Sequence, residues 1–122
     1  MKRRHIVGIG ADIEEIGRFE DLDRVKNRRF LTRIYTHREL SYCFAKRKPA
    51  QHLAARFCAK ESVIKALSRL GIRGISYRDI RVRSTAGAPS VALAGVRAKF
   101  DISLTMAHAG GFALAAALVK KV

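Results

Sequence analysis

The chain has 122 residues and a mass of 13.6 kDa, so we predict a single domain over residues 1–122 with one modest core. An apolar content of 48% favours a folded globule and argues against a disordered tail. The formal net charge is +15, from 25 Lys and Arg against 10 Asp and Glu. Such a surface attracts anions: nucleic acid, an anionic membrane, a phosphorylated small molecule or an acidic protein.

The cysteines and the apolar runs bear on the compartment of the protein. Cys43 and Cys58 match neither a metal-binding spacing nor a disulfide scaffold, so we expect buried thiols in a reducing compartment. The basic start and the apolar run after it resemble a signal peptide, but Asp12 cuts that run short. The late run FALAAALV is too short to span a bilayer. We predict a cytoplasmic protein with no membrane insertion.

The first half of the chain is predicted to contain a strand followed by helices. His5 to Ala11 is rich in Ile and Val and predicts a strand, and the acidic segment after it predicts a helix. Phe30 to Phe44 is helical in parts. A loop is expected around KRKPAQ, where Pro49 interrupts the helical pattern.

The second half begins with the best-defined helix, from Leu53 to Leu70, which ends at glycines suited to a C-terminal cap, Gly71 and Gly74. ISYRDIRVR alternates as a strand, STAGAPS is a turn and VALAG is a second strand. DISLTMAH and FALAAALV form a final strand pair across AGG. The predicted fold class is α+β, with an N-terminal strand and helices followed by antiparallel strands.

The first strand has an unusual face. Because side chains alternate along a strand, Gly8, Gly10 and Asp12 share one side, which leaves bare backbone for another group to pack against. A GxGxxG nucleotide fingerprint fails because Ile13 occupies the third glycine position. From the residues alone, Asp12 is either a helix N-cap, with Glu15 completing a capping box, or a ligand in a site.

The helix LAARFCAKESVIKALSRL carries a candidate acid and base. Its core stripe has helical spacing, and small residues cover much of the remaining surface (stripe: Leu53, Phe57, Ile64, Leu67). Glu61 and Lys65 are four residues apart and form either an ordinary exposed ion pair or, if buried, a carboxylate that needs a cation. Asp12 and Glu61 are the candidate carboxylates for Mg²⁺ on a phosphate ligand, with Lys65 reaching a phosphate oxygen.

A basic segment runs from Arg24 to Lys48, with nine Lys and Arg against the single acid Glu39. A solvated face is the ordinary interpretation of such a run. Because almost no acid compensates the charge, we favour a functional anion site.

Four blocks of the sequence resemble those of one enzyme family. GIGADIEEIGRFE is similar to its GxDxxxxxR block and RFCAKESVIKAL to its FxxKE(A/S)xxKA block. AGAPSVALAG and LTMAHAGGFALAAALV resemble its GxPxVxLxG segment and its terminal SxSH-type strand pair. In this order, from about His5 to Val119, the blocks resemble the holo-acyl-carrier-protein synthases, the small phosphopantetheinyl transferases.

The resemblance implies a phosphopantetheinyl transferase fold and a homotrimer with shared active sites. It also implies a Mg²⁺-dependent reaction of fatty acid biosynthesis, in which 4′-phosphopantetheine moves from coenzyme A to a serine of an acidic apo-acyl carrier protein. Asp12 and Glu61 would hold the metal and Lys65 would stabilise the phosphate under attack. His108 would lie near the nucleotide end. Five basic residues would meet phosphates or the carrier: Arg18, Lys46, Arg47, Lys48 and Arg56.

Two departures and two alternatives accompany this resemblance. Thr105 keeps one of the family's hydroxyl positions before the histidine, but Ala107 removes the other. If His108 does not bind the nucleotide, it is a turn histidine at a hairpin.

A small basic nucleic-acid-binding protein is the alternative function, although no RNP-like or zinc pattern supports it. A degenerate member of the family that acts only as a structural subunit is the third possibility.

Overall fold

The computed structural model describes residues 6–85 and 88–122, which form two antiparallel sheets and three α-helices. β1, β5 and β4 form one sheet in that order, and β2 pairs with β3 in the other, which confirms the α+β prediction. The elements in chain order are β1 (Val7–Glu15), a 3₁₀ turn (Ile16–Phe19), α1 (Arg28–Ile34), α2 (His37–Phe44), α3 (Pro49–Arg69), a 3₁₀ turn (Tyr77–Asp79), β2 (Ile80–Thr85), β3 (Ala88–Leu93), β4 (Phe100–Ala109) and β5 (Phe112–Lys121).

The first strand is longer than the sequence predicts, and the helix predicted after it is wrong. β5 pairs with β1 as far as Glu15, so the backbone of the acidic segment continues in the sheet and ends in a short 3₁₀ turn. Asp12 lies opposite Ala115 in the interior of β1. Asp12 is therefore not a helix N-cap, and the capping box with Glu15 does not form.

The helices follow the prediction more closely. A capping box is present, but at the start of α2, where the Thr36 hydroxyl accepts from the Glu39 amide and the Glu39 carboxylate accepts from the Thr36 amide. Pro49 begins α3 where the prediction had it interrupt a helix, because the first helical position needs no N–H donor. α3 ends at Arg69, and Gly71 follows with a φ of 82°.

The C-terminal strand pair is confirmed, with Gly110 and Gly111 at the turn between β4 and β5. ISYRDIRVR is only partly a strand, because a 3₁₀ turn precedes Ile80. The predicted turn STAGAPS includes residues 86–87, which lie outside the described part of the chain. VALAG falls within and after β3, which begins earlier than predicted.

The bare face of β1 packs against the backbone of α3. A Cβ at Gly8 would lie 2.0 Å from the Ala66 carbonyl oxygen, and one at Gly10 would lie 1.9 Å from that of Ser62. The Ser62 hydroxyl also donates to Ala115 of β5 at 3.1 Å. The predicted close approach is confirmed, but the group that approaches these glycines is a helix of the same chain.

A buried ion pair links the helices to the smaller sheet. Lys60 Nζ lies 2.8 Å from Glu39 Oε1, and both side chains are almost completely buried. Lys60 also donates to the carbonyl oxygens of Tyr77 and Ile80, and the amide of Val82 donates to Glu39 Oε2. Burial lowers the pKa of Lys60, and the Glu39 charge opposes that shift. All three ammonium donors are used, as a buried charge requires.

The two cysteines lie in the interior of the fold, and apolar side chains are exposed on one face of the larger sheet. Cys43 and Cys58 are buried free cysteines, as predicted. No helix in residues 6–85 and 88–122 has the length and hydropathy needed to cross a membrane. The outer face of the three-stranded sheet exposes apolar side chains, among them Ile9 at 71% and Ile13 at 57%.

We expect Gly10→Ala to destabilise the fold by about 3 kcal/mol or more, because its Cβ would displace the main chain of α3. Gly17→Ala is the matched control, since a Cβ at Gly17 meets nothing within 4 Å. Its effect should stay within about 0.5 kcal/mol. Urea denaturation followed by circular dichroism measures both. Equal stability of the two variants would contradict the packing described above.

Candidate active site

Asp12 meets Lys65 at the junction of β1 and α3. The Asp12 side chain is 14% exposed and that of Lys65 is 51% exposed. Lys65 Nζ lies 3.2 Å from Asp12 Oδ1 and donates to the Ala11 carbonyl oxygen at 2.9 Å. One cation therefore balances one oxygen of this carboxylate, and a third ammonium donor remains for another acceptor.

The second oxygen of Asp12 is in an unfavourable environment. Asp12 Oδ2 is buried and has no hydrogen-bond partner among the described residues. Burial and the Asp12 charge raise the pKa of Glu14, and Glu61 adds to the shift. Burial raises the pKa of Cys58 to about 12, with further contributions from Asp12 and Glu14. Negative charge is thus concentrated where one carboxylate oxygen has no donor, which costs free energy unless a cation binds.

Glu61 lies on α3 and accepts a hydrogen bond from the Tyr77 hydroxyl, whose oxygen is 2.5 Å from Glu61 Oε1. This bond and burial raise the pKa of Tyr77 to about 12, so the hydroxyl is a donor at neutral pH. The ion pair between Glu61 and Lys65 that their spacing allows is not formed. It is replaced because β1 brings the carboxylate of Asp12 to Lys65, a contact that local sequence does not reveal.

These carboxylates fit a hard divalent cation that takes its other ligands from a phosphate group. No cluster of three or more His, Cys, Asp or Glu side chains suited to a metal occurs in residues 6–85 and 88–122. Mg²⁺ is usually held by one or two carboxylates together with phosphate oxygens and water, so two carboxylates suffice. Asp12 Oδ2 lacks a partner, and Glu61 Oε2 accepts no hydrogen bond within the described residues. Both oxygens are candidate metal ligands.

A second cluster is strongly basic. A groove of about 480 Å³ lies between α2, α3 and β2. It is lined by five arginines and one buried acid (Arg38, Arg56, Arg78, Arg81, Arg83 and Glu39). Glu39 is already paired with Lys60, so this groove has a net positive charge.

Arg56 is the buried arginine of this groove, with 2% of its surface exposed. Its Nη2 donates to the Ser84 hydroxyl at 2.6 Å, and its Nη1 lies 3.5 Å from the His52 carbonyl oxygen. The guanidinium carbon is 4.0 Å from the ring centre of Tyr42. Arg56 Nε is buried and has no partner within the described residues. A buried guanidinium with an unused donor is suited to an anion.

The positive charge of Arg56 and Lys46 shifts the pKa of neighbouring side chains. Lys46 Nζ lies 4.5 Å from the ring centre of Tyr42. A hydrogen bond to Ser84 lowers the pKa of Tyr42, and Arg56 and Lys46 lower it further. Burial lowers the pKa of His52, and the same two cations add to the effect. The potential therefore favours negatively charged species at this end of the groove.

The other predicted basic residues are not part of this cluster. Lys48 and His108 line a separate cavity of about 540 Å³ beside Gly110. Arg47 is exposed. Arg18 is exposed as well and lies 3.5 Å from Glu14.

The predicted site residues thus fall into three places in one chain. Asp12 and Lys65 line a cavity of about 510 Å³, which shares no lining residue with the Arg56 groove or with the His108 cavity. Thr105 lies in the Asp12 cavity and points to the opposite face of β4 from His108. Within one chain, Asp12 and Lys65 therefore line a different cavity from Arg56 and from His108.

The sequence did not indicate the roles of several residues in these clusters. Tyr77 was assigned to a strand, where its hydroxyl has no evident role. Tyr42 and Ser84 were not selected because their contacts with Arg56 come from distant parts of the chain. Lys60 precedes Glu61 directly, but only its burial reveals that it is structural.

Comparisons with known proteins identify the family of this chain. The sequence model of the 4′-phosphopantetheinyl transferase superfamily matches residues 8–117. The holo-[acyl-carrier-protein] synthase of Thermodesulfovibrio yellowstonii is 37% identical over 111 residues, covering 90% of this chain and 95% of that protein.

Solved structures show the same fold. The synthase of Helicobacter pylori in complex with coenzyme A is 31% identical, with a TM-score of 0.75 over 92% of this chain and 99% of that one. The Chronobacterium ammoniagenes synthase–coenzyme A complex has a TM-score of 0.79 at 24% identity, over 97% and 99% of the two chains, and supports the fold alone. The predicted resemblance is confirmed, and the chain belongs to the holo-[acyl-carrier-protein] synthases of the 4′-phosphopantetheinyl transferase superfamily.

Proposed function

We propose that this chain transfers 4′-phosphopantetheine from coenzyme A to a serine of an acidic apo-acyl carrier protein, in fatty acid biosynthesis. The serine oxygen forms a bond to the phosphorus that carries pantetheine. The bond from that phosphorus to the nucleotide breaks, adenosine 3′,5′-bisphosphate leaves, and the serine proton is released. Membership of the family supports the enzyme over a nucleic-acid-binding protein. The buried free thiols support a reducing compartment, the cytoplasm.

Asp12 and Glu61 are the residues that would hold Mg²⁺. When bound, the metal would neutralise the negative charge of the pyrophosphate and of the leaving group. The observation that carries this assignment is the buried, unpartnered Oδ2 of Asp12 in a negatively charged setting. Both carboxylates sit on packed elements, β1 and α3, so their main-chain positions are fixed.

Lys65 is proposed to bind the phosphoryl group under attack. Its ammonium group holds the Asp12 carboxylate in place, and two of its donors go to Asp12 and to Ala11. Because the side chain is half exposed, the remaining donor is accessible to a phosphate oxygen. A cation held beside the reacting phosphate stabilises charge that develops during transfer.

Arg56 and Lys46 are proposed to bind the 3′-phosphate of coenzyme A. A phosphomonoester carries close to two negative charges and accepts several charge-assisted hydrogen bonds. The buried Nε of Arg56 and the lowered pKa of Tyr42 support this location. Arg47, which is exposed, is proposed as a further contact with coenzyme A. His108 is proposed to lie near the nucleotide end of coenzyme A.

The exposed arginines of α1 are proposed to dock the carrier. Arg28, Arg29 and Arg33 are all exposed on this helix. Glu39, the only acid between Arg24 and Lys48, is buried against Lys60 and cannot compensate them. An uncompensated basic helix raises the encounter rate with an acidic partner.

The active site is proposed to form between copies of the chain in a homotrimer. Its support is the separation of the Asp12 cavity from the Arg56 groove within one chain. A second copy that brings its own groove to the Asp12 cavity would unite metal, phosphate and nucleotide contacts. The exposed apolar residues on the outer face of the β1–β5–β4 sheet offer an area for such contacts.

We expect Asp12→Ala and Glu61→Ala each to lower kcat/KM by more than about 100-fold, since each removes a proposed metal ligand. Thermal stability without Mg²⁺ should be unchanged or higher for Asp12→Ala, because an unpartnered buried oxygen is removed. Transfer of labelled phosphopantetheine to apo-carrier protein and a melting curve measure the two effects. Asp101→Ala, on exposed β4 surface, is the control. Near-normal activity of Glu61→Ala in excess Mg²⁺ would refute the metal assignment.

We expect mixed trimers of Asp12→Ala and Arg56→Gln to recover activity that neither variant has alone. If each site takes Asp12 from one copy and Arg56 from its neighbour, every mixed trimer restores one of its three sites. Random 1:1 mixing then restores about a quarter of all sites and about a third of those in the purified mixed trimers. Co-expression with different tags, followed by purification on both tags, isolates the mixed species. Light scattering checks that the variants are folded trimers. Activity no higher than that of either parent, or a fully active monomer, would contradict the shared site.

We expect the two parts of the basic segment to separate by substrate. Neutralising Lys46 and Arg47 should raise KM for coenzyme A by roughly tenfold, as the loss of charge-assisted hydrogen bonds implies. KM for dephospho-coenzyme A, which lacks the 3′-phosphate, should change little. Neutralising Arg28, Arg29 and Arg33 should instead raise KM for the carrier and flatten its salt dependence. Identical effects of the two sets of changes would exclude this division.

A further inference from the structure

The hydroxyl of Tyr77 makes the only hydrogen bond to the Glu61 side chain within residues 6–85 and 88–122. Oε1 of Glu61 is the acceptor, at 2.5 Å from the hydroxyl oxygen. Oε2 accepts no hydrogen bond in the same part of the chain. The two oxygens of this carboxylate are therefore not equivalent: one is held by the protein and the other is available to a ligand.

The main chain of Tyr77 is fixed from the interior of the protein. Lys60 Nζ donates to the carbonyl oxygens of Tyr77 and Ile80, each at 2.8 Å. Lys60 is fully buried and is paired with Glu39. Disturbing a buried charge whose hydrogen bonds are all made costs free energy. The hydrogen bonds of Lys60 therefore hold the 3₁₀ turn that contains Tyr77 against α3.

The ring of Tyr77 is fixed independently. Its centre lies 5.5 Å from that of Phe57, and the planes are tilted by 57°. Phe57 in turn contacts the ring of Phe19 at 5.8 Å. Phe57 and Glu61 are one turn apart on α3, so the phenol ring packs beside the first and its hydroxyl reaches the second. With main chain and ring both held, the hydroxyl has a defined position.

We infer that Tyr77 is a positioning residue that orients the Glu61 carboxylate and leaves Oε2 for the divalent metal; this inference rests on the proposed metal role of Glu61. A free glutamate side chain loses rotamer entropy when it binds a metal. A hydrogen bond made beforehand by a fixed donor removes part of that loss, which is how outer partners raise metal affinity. The ring packs without the hydroxyl, so the oxygen of Tyr77 is not needed for the fold.

Tyr77→Phe tests the inference because it removes the oxygen and keeps the ring. We expect the Kd for Mn²⁺, measured by the electron paramagnetic resonance signal of the free ion with coenzyme A present, to rise about tenfold. The Mg²⁺ concentration for half-maximal transfer should rise by a similar factor. At saturating Mg²⁺, kcat and KM for coenzyme A should remain within about threefold of the unmodified protein, because the ligand itself is intact.

Two further variants make the result decisive. Tyr35→Phe also deletes a buried tyrosine hydroxyl, one that donates to the Leu53 carbonyl oxygen at 2.7 Å, and should leave the Mn²⁺ Kd unchanged. Glu61→Gln should abolish Mn²⁺ binding. If Glu61→Gln binds Mn²⁺ normally, the proposed metal site fails, and the role of Tyr77 fails with it. If Glu61→Gln loses binding but Tyr77→Phe stays within twofold of the unmodified Kd, only the inference about Tyr77 is overturned.

Discussion

The close contact between β1 and α3 is the constraint on which the rest of the structure depends. Gly8 lies against the carbonyl of Ala66 and Gly10 against that of Ser62. Two residues of a strand advance about 6.8 Å and one helical turn about 5.4 Å, so strand and helix keep nearly in step along this contact. Asp12 is the next residue on the same face, and it is therefore carried to the surface of α3. A side chain at either glycine would separate the two elements and move the carboxylate away from Lys65 and Glu61. The arrangement of the candidate site thus follows from main-chain packing.

The helix uses lysine for structure and, under the proposed function, for chemistry. Lys60 and Lys65 are five residues apart on α3, which places them on different sides of the helix. Lys60 is fully buried, and its three donors go to Glu39 and to two carbonyl oxygens. Lys65 is half exposed and has a donor to spare. The first lysine fixes the turn that carries Tyr77, and the second is available to a substrate. Burial alone, set by what packs against each side of the helix, distinguishes their roles.

The sequence predicts the fold well where structure is local and fails where pairing is distant. Strand alternation predicted a face that packs closely, and the small residues of α3 predicted a substantially buried helix; both are observed. Two features could not be predicted because each depends on a distant part of the chain. The partner that packs on the glycines is α3, and the extended state of Asp12 comes from its pairing with β5. The spacing of Glu61 and Lys65 suggested an ion pair, but contacts from β1 and from Tyr77 replace it. The candidate carboxylates could be selected from sequence; their partners could not.

The distribution of charge connects the two clusters. Although the chain is strongly basic, three of its acids lie near Lys65: Asp12, Glu14 and Glu61. Glu39 is buried against Lys60 and does not compensate the charge of the basic segment. A negative cluster attracts a cation and a positive groove attracts a polyanion. Neither ligand alone therefore neutralises the charge of both clusters. Under the proposed function, Mg²⁺ reduces the repulsion between the carboxylates and a pyrophosphate, and the pyrophosphate supplies the oxygens that two carboxylates leave missing. Thermodynamic linkage then requires each ligand to raise the affinity for the other by the same factor. Under the proposed function, cooperative binding of metal and coenzyme A would therefore follow from where this chain places its few acids.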